Sequence, residues 1–377
     1  MPDSMLLDIL QRSAAQQIMG QQPGQDRGIL VDPVPFPFLA IVGQSEMKLA
    51  LILAVINPRV GGVLLIGPRG VGKTVAVRGL IDLLPPVERS ACPYGCEPEA
   101  AYTMGMDAIC DDCAAKLARG EPITHSDRMR LTELPLNARL EDVVGGINER
   151  IALEQNRVRL DKGILARADK NLLYIDEINL LQDEIVNAIL DAAAQGRYTV
   201  RRGPLTSTYR ARFVLIGTMN PEEGRLRPQI LDRIGLHVVV KRLEDTEERI
   251  EVYRRVAQYT DSPHAMAEAY AGPMLDMVDE IQEAKELLPR VKVTPDAQRV
   301  ILEAIHRLEI ASNRAEIFAL EAARAHAAAD GRTAATEEDI RAVATMALRQ
   351  RRSEYMIKYF AQAAAQDKII QETLDAI

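Results

Sequence analysis

Residues 62–74 read Gly62-Val63-Leu64-Leu65-Ile66-Gly67-Pro68-Arg69-Gly70-Val71-Gly72-Lys73-Thr74. The first five form a continuous apolar run followed by glycine, the pattern of a strand buried on both faces of a parallel sheet. The next eight match GxxxxGK[ST] and are followed by Thr74-Val-Ala-Val-Arg-Gly-Leu-Ile-Asp-Leu-Leu, an amphipathic helical run. Strand, glycine-rich loop and helix in that order make a phosphate cradle. Backbone N–H groups of Gly67, Pro68, Arg69, Gly70, Val71 and Gly72, proline's missing one excepted, surround the phosphates. Lys73 reaches the β and γ oxygens, and the Thr74 hydroxyl is offered to Mg²⁺. The predicted cofactors are therefore ATP and Mg²⁺.

Two further apolar runs lie outward from this loop. Leu172-Leu-Tyr-Ile175 ends in Asp176-Glu177, and Phe213-Val-Leu-Ile216 leads into Gly217-Thr-Met-Asn220-Pro221. Carboxylates at the end of a buried strand are costly without a cation. MgATP supplies one, with Asp176 as the expected Mg²⁺ ligand and Glu177 as the group that polarises the attacking water. Asn220 is placed to hold the same water from the other side. An acidic helix cap and a simple Asn-Pro turn are the plain readings of these two motifs taken alone. Strand-like runs alternating with helical ones argue an α/β fold, a parallel sheet in three layers with ligands at the strands' carboxyl ends.

The chain has 377 residues, enough for a large and a smaller domain. Residues 1–30 read as a flexible lead-in and 31–245 as the nucleotide-binding α/β domain. A helical connector is expected over 246–284, an all-helical lid over 285–350, and a helical tail over 351–377. The lid is marked by caps such as Thr294-Pro295-Asp296 and Thr336-Glu337-Glu338-Asp339. Aromatic residues are 4% of the chain with no Trp, so the core is built from Leu, Ile, Val and Ala. A net charge of −8 argues against a protein that binds nucleic acid through its phosphates. No window approaches the ~18 apolar residues of a membrane span, and no signal peptide is recognisable, so a cytoplasmic location is expected.

Several segments narrow the match beyond the nucleotide motifs. They include Asn171-Leu-Leu-Tyr-Ile-Asp-Glu-Ile-Asn-Leu-Leu181, Leu190-Asp-Ala-Ala-Ala194, Asn220-Pro-Glu-Glu-Gly224 and Leu226-Arg-Pro-Gln-Ile-Leu-Asp-Arg-Ile-Gly-Leu236. Over about residues 38–350 the chain resembles the I-subunit family of magnesium chelatase, within the AAA+ ATPases. The resemblance implies a homo-oligomeric ring, usually a hexamer, that drives Mg²⁺ insertion into protoporphyrin IX on a separate porphyrin-binding H-type subunit, in (bacterio)chlorophyll synthesis. A D-type subunit couples the two. It also implies Arg233 as the finger that reaches a neighbour's γ-phosphate, with Arg227 the alternative, and Arg314 as a second sensor from the lid. Surface ion pairs are the plain reading of these arginines. Inserted elements are expected near 141–165 and 198–212, the latter an Arg-rich hairpin facing neighbours or the ring centre. The alternative function is a MoxR-like AAA+ chaperone or metallochaperone working with a von Willebrand A-type partner.

All four cysteines fall within an insertion at 90–115, as Cys92-Pro-Tyr-Gly-Cys96 and Cys110-Asp-Asp-Cys113. Two readings stand side by side: four thiolates closing a tetrahedral zinc shell, or thiols that stay reduced or serve redox chemistry.

Overall fold

The computed structural model describes residues 34–92, 95–146, 161–203 and 205–375. The lead-in expected over 1–30 and most of the insertion expected near 141–165 lie outside the described residues. Eleven strands run along the described chain: β1 (Val63–Ile66), β2 (Pro86–Ser90), β3 (Thr124–Arg128), β4 (Leu131–Leu134), β5 (Leu172–Ile175), β6 (Arg197–Arg202), β7 (Leu205–Arg210), β8 (Val214–Met219), β9 (Leu236–Val239), β10 (Lys292–Val293) and β11 (Ala334–Ala335). Five of them make one parallel sheet in the order β4-β5-β8-β1-β9.

The apolar runs are buried on both faces because their alternate residues feed two cores. Leu65, Tyr174 and Ile216 face the helix Ser45–Ile56 and the lid, while Leu64, Leu173, Ile175 and Leu215 face the helix Asp183–Gln195. The helix Ser45–Ile56 is accordingly apolar nearly all round, as a helix enclosed by a sheet and a second layer must be. Register decides what happens at the sheet's end. Ile66 lies opposite Met219 and Ile175 opposite Gly217, so β1, β8 and β5 finish side by side. The phosphate loop, Asn220 and the Asp176-Glu177 pair thereby become neighbours, at the carboxyl edge where ligands bind in such sheets.

Beyond the sheet, the helices Thr246–Asp261 and Pro263–Leu287 lead to a cluster of three helices, Pro295–Arg307, Arg314–Ala329 and Glu337–Leu348, joined by the short parallel pair β10–β11. Thr294 accepts from the Ala297 N–H, and Thr336 and Asp339 form a capping box. Alanines at 315, 319, 322, 323 and 325–329 other than His326 are buried, which lets the middle helix pack closely against its neighbours. Asn57, just after the first helix, donates to the Glu321 carboxylate at 2.8 Å and ties the lid to the sheet domain.

Two small antiparallel ladders stand apart from the main sheet. β2 and β3 pair and bracket the four-cysteine segment, and β6 and β7 form a hairpin whose rungs include Tyr198 opposite Tyr209.

Candidate nucleotide site and four-cysteine centre

The phosphate loop leaves β1 and turns into the helix Lys73–Gly79. Its glycines are dictated by geometry. A Cβ on Gly67 would lie 2.2 Å from the Val240 carbonyl oxygen of β9's extension, and Gly72 has φ +88°, the left-handed region that side chains avoid. Together with Asp176, Glu177, Thr218 and Asn220 the loop lines a cavity of about 290 Å³. Lys73 donates to the carbonyls of Gly67 and Pro68 within its own loop. Burial lowers its pKa, against the pull of Asp176, Glu177 and Glu223.

Two residues that were not singled out in the sequence hold the acidic pair. Tyr174, on β5, lies 2.9 Å from Asp176 Oδ1 and 3.2 Å from Thr74 Oγ1 through its hydroxyl. A carboxylate only accepts, so the phenol proton goes to Asp176 and the Thr74 hydroxyl donates to the phenol oxygen. Thr74 then keeps its lone pairs for a cation. The Tyr174 hydroxyl is pushed well above the ordinary tyrosine range, first by burial. Thr218, on β8, donates to Asp176 at 2.5 Å and accepts from the Glu177 N–H at 2.9 Å. The signal for both was present: a phenol and a hydroxyl inside strands that are otherwise wholly apolar.

Glu177 has φ 50° and ψ 53°, a left-handed conformation uncommon for a residue with a side chain. Its carboxylate meets Arg69 of the phosphate loop at 3.2 Å, and Arg69 also pairs with Glu223 at 2.5 Å. Asn220 is buried, and its side-chain oxygen accepts from the Glu222 N–H at 3.3 Å. That leaves the amide NH₂ as its group for a phosphate oxygen or a water. The arrangement combines a glycine-rich cradle that could take phosphates, a hydroxyl and a carboxylate that could hold a cation, and a carboxylate and an amide that could hold a water.

Comparison with known proteins identifies the family. An AAA lid domain model matches residues 299–373 and an MCM P-loop domain model residues 149–242. A magnesium-chelatase subunit ChlI homolog of Methanocaldococcus jannaschii is 42% identical over 84% of this chain and 85% of that protein. The magnesium-chelatase 38 kDa subunit of Acidiphilium rubrum is 42% identical over 84% of this chain and 90% of its own length. The chain belongs to the magnesium-chelatase I-subunit family. It is an AAA+ ATPase of that family. A putative ATPase of Cytophaga hutchinsonii has the same fold at TM-score 0.53 and 20% identity, covering 90% of this chain and 91% of that one.

The arginines that the chelatase resemblance marks lie off the phosphate cavity. Arg233 binds Asp191 at 2.9 Å and Asn187 at 3.3 Å on the helix Asp183–Gln195, and Arg227 pairs with Asp183 of the same helix at 2.6 Å. Arg314, at the start of its lid helix, pairs with Asp232 at 3.0 Å. Asp232 also receives Arg351 at 3.0 Å, whose side chain is fully buried, donates to the carbonyls of Ile234 and Gly235, and lies over the Phe318 ring. Burial opposes ionisation of Asp232, but hydrogen bonds from Ser312 and Arg314 with the charge of Arg351 hold its pKa below the usual range. Beside it the two ring nitrogens of His237 face the carbonyls of Arg349 at 2.8 Å and Leu231 at 3.0 Å, and the neutral ring donates to one of them. Burial, with Arg351 adding repulsion, lowers its pKa to about 4. Arg349 and Arg351 thus anchor the end of the lid to the segment carrying Arg233. No sequence pattern marks them.

The four cysteines converge. Their Sγ atoms all lie within 4.8 Å of one another. The Cys96 N–H donates to Cys92 Sγ at 3.4 Å and the Cys110 N–H to Cys96 Sγ at 3.3 Å, bonds that favour thiolates. Cys92 is lowered to about 6, since hydrogen bonds from Ser90 and Cys96 outweigh burial. The cysteine segment has a core of its own, with Cys96, Ala100, Ala101, Ile109, Cys113 and Ile123 buried together. So few small side chains fall short of what holds an independent unit, which normally needs a disulfide or a metal. The donor set and this thin core both fit zinc.

Proposed function

We propose that this chain is the ATP-driven motor of a magnesium chelatase. It would assemble as a ring of six copies in the cytoplasm and pass the energy of ATP hydrolysis, through a D-type coupling subunit, to an H-type subunit where Mg²⁺ enters protoporphyrin IX. In this reading residues 31–245 bind and hydrolyse ATP, 246–284 connect, and 285–350 act as the lid carrying Arg314, with 351–377 as a tail.

One observation carries the reading. The cradle, the acidic pair and Asn220 meet in one cavity, whereas Arg233 is held on a different face, against Asp191. A guanidinium there serves a neighbour's nucleotide better than its own, which makes the ring part of the catalytic centre. Within the cavity, Thr74 and Asp176 would hold the Mg²⁺ of MgATP, which draws charge from the phosphate oxygens. Glu177 takes the proton of the attacking water and Asn220 orients that water. Lys73 keeps the β and γ phosphates in place. We further propose that Cys92, Cys96, Cys110 and Cys113 bind one zinc ion with a structural role, since four thiolates leave no open position for chemistry.

The test is reconstitution with H-type and D-type subunits, protoporphyrin IX, Mg²⁺ and ATP, followed by the fluorescence of the metallated porphyrin. Metal insertion is expected to require this chain with Glu177 intact. ATP turnover stimulated by a von Willebrand A-type partner, with no insertion in any combination, would instead assign the chain to the chaperone reading.

A further inference from the structure

The four-cysteine segment is joined to the rest of the chain by more than β2 and β3. Glu97, immediately after Cys96, is buried and faces three cations: Arg212 at 2.6 Å, Arg210 at 2.9 Å and Lys170 at 2.9 Å. Arg210 also donates to the Gly95 carbonyl at 2.7 Å, inside the Cys92–Cys96 turn. Arg210 is the last residue of β7, paired with Arg197 at the open end of the β6–β7 hairpin, and Arg212 follows it with a second carboxylate, Asp169, at 3.0 Å. The foot of the hairpin therefore rests on the cysteine turn, and the partners are 115 residues apart in sequence.

We propose, resting on the zinc reading of the four cysteines, that the metal-bound turn is the foundation of the β6–β7 hairpin, so that zinc occupancy sets the hairpin's order through Gly95 and Glu97. The physical reason is leverage. A carboxylate facing three cations organises them only if its own backbone is held, and residues 95–97 are held through Cys92 and Cys96, with the short helix Pro98–Met104 after them and a small local core beneath. Thiolate coordination fixes both ends of that turn. Without it, Glu97 and the Gly95 carbonyl move with the loop, Arg210 loses both of these fixed partners and Arg212 keeps only Asp169. The hairpin is an inserted two-stranded ladder, and an isolated hairpin is marginally stable in water. Tyr198 packs on the core beside the helix Asp183–Gln195 and Val200 is buried, and the foot adds the ion pairs that fix the hairpin's open end.

Hydrogen exchange of the full-length protein tests this, read beside zinc content. The peptides covering 197–210 are compared with those of β1 and β8 as a control for the fold. Native protein is expected to hold about one zinc per chain. Stripping it with a chelator is expected to speed exchange in the hairpin by about tenfold or more while the control peptides stay unchanged. Glu97→Gln is expected to keep the zinc and reproduce the faster hairpin exchange. Arg210→Gln, a milder change at a half-exposed residue, is expected to do so in part if Glu97→Gln unfolds. Protein that holds no zinc and takes none up overturns the metal reading and this proposal with it. Zinc that is bound, but whose removal leaves hairpin exchange as it was, overturns the coupling alone. Faster exchange after stripping, with Glu97→Gln and Arg210→Gln both like wild type, overturns the route through Glu97.

Discussion

Replacing Tyr174 by Phe removes one oxygen from a side chain that is 2% exposed and leaves the ring's packing intact. That oxygen donates to Asp176 and accepts from Thr74. The bond to the carboxylate is of the charged kind, with a net contribution of about 1.5–3 kcal/mol, and the one from Thr74 is neutral, at about 1 kcal/mol. Their loss leaves Asp176 held by Thr218 alone and gives the Thr74 hydroxyl proton no acceptor. Both proposed Mg²⁺ ligands are loosened together. Part of the loss is recovered because the site is open to water, which leaves roughly 1.5–3 kcal/mol of misplaced organisation. At 1.4 kcal/mol per decade this predicts a rise of about ten- to hundredfold in the Mg²⁺ concentration giving half-maximal ATP hydrolysis. Nucleotide affinity without Mg²⁺ is expected to stay near wild type, since Lys73 and the loop are untouched. A Mg²⁺ titration of ATPase activity, with a fluorescent nucleotide for binding, reads both quantities. Unchanged Mg²⁺ dependence and turnover would refute the reasoning and reduce Tyr174 to a packing residue.

Glu177→Gln is expected to bind ATP normally and to lose about two to four orders of magnitude in turnover, the scale of a lost general base; single-turnover kinetics with a binding assay separate the two effects. Lys73→Ala and Arg233→Ala are each expected to be inactive, the second by roughly a thousandfold or more, and their mixture is expected to regain activity where a good loop meets a good finger. A mixture that co-assembles but stays inactive moves the finger to Arg227. Arg351→Ala removes a buried guanidinium from the Asp232 carboxylate and four carbonyls and is expected to destabilise the chain by about 3–5 kcal/mol, read as a lowered denaturation midpoint. His237 is held neutral in the fold with its pKa at about 4, below its value near 6.5 in the unfolded chain, so the unfolded state takes up the extra proton. Stability from this group is therefore complete above about pH 6.5 and falls as the pH drops toward 4, by about 3 kcal/mol in all. His237→Gln is expected to flatten that part of the stability–pH curve, and an unchanged slope would assign it to other groups.

What was legible in the sequence was local. Residues 62–74 declare the phosphate loop because a turn that wraps phosphates with backbone N–H groups needs glycines at set positions, and a strand with two buried faces needs an unbroken apolar run. Asp176-Glu177 and Asn220 were legible for the same reason, each ending such a run. The cysteine spacing announced a common destination within 22 residues of chain. Tertiary structure alone decided the rest, because it depends on which strands lie side by side and which helix turns over them. Register placed the three strand ends at one cavity. It also carried Thr218 onto Asp176, where it joins Tyr174 from two residues earlier, although each is only a polar residue in an apolar strand when read in sequence. Nor does a surface-like arginine disclose its partner. Arg210 and Arg212 meet the Cys92–Glu97 turn across more than a hundred residues, and Arg351 reaches Asp232 from just past the helix Glu337–Leu348. Charge acts through space and not along the chain, so these contacts exist only once the packing of β5, β8 and the lid has brought their partners within a few ångströms.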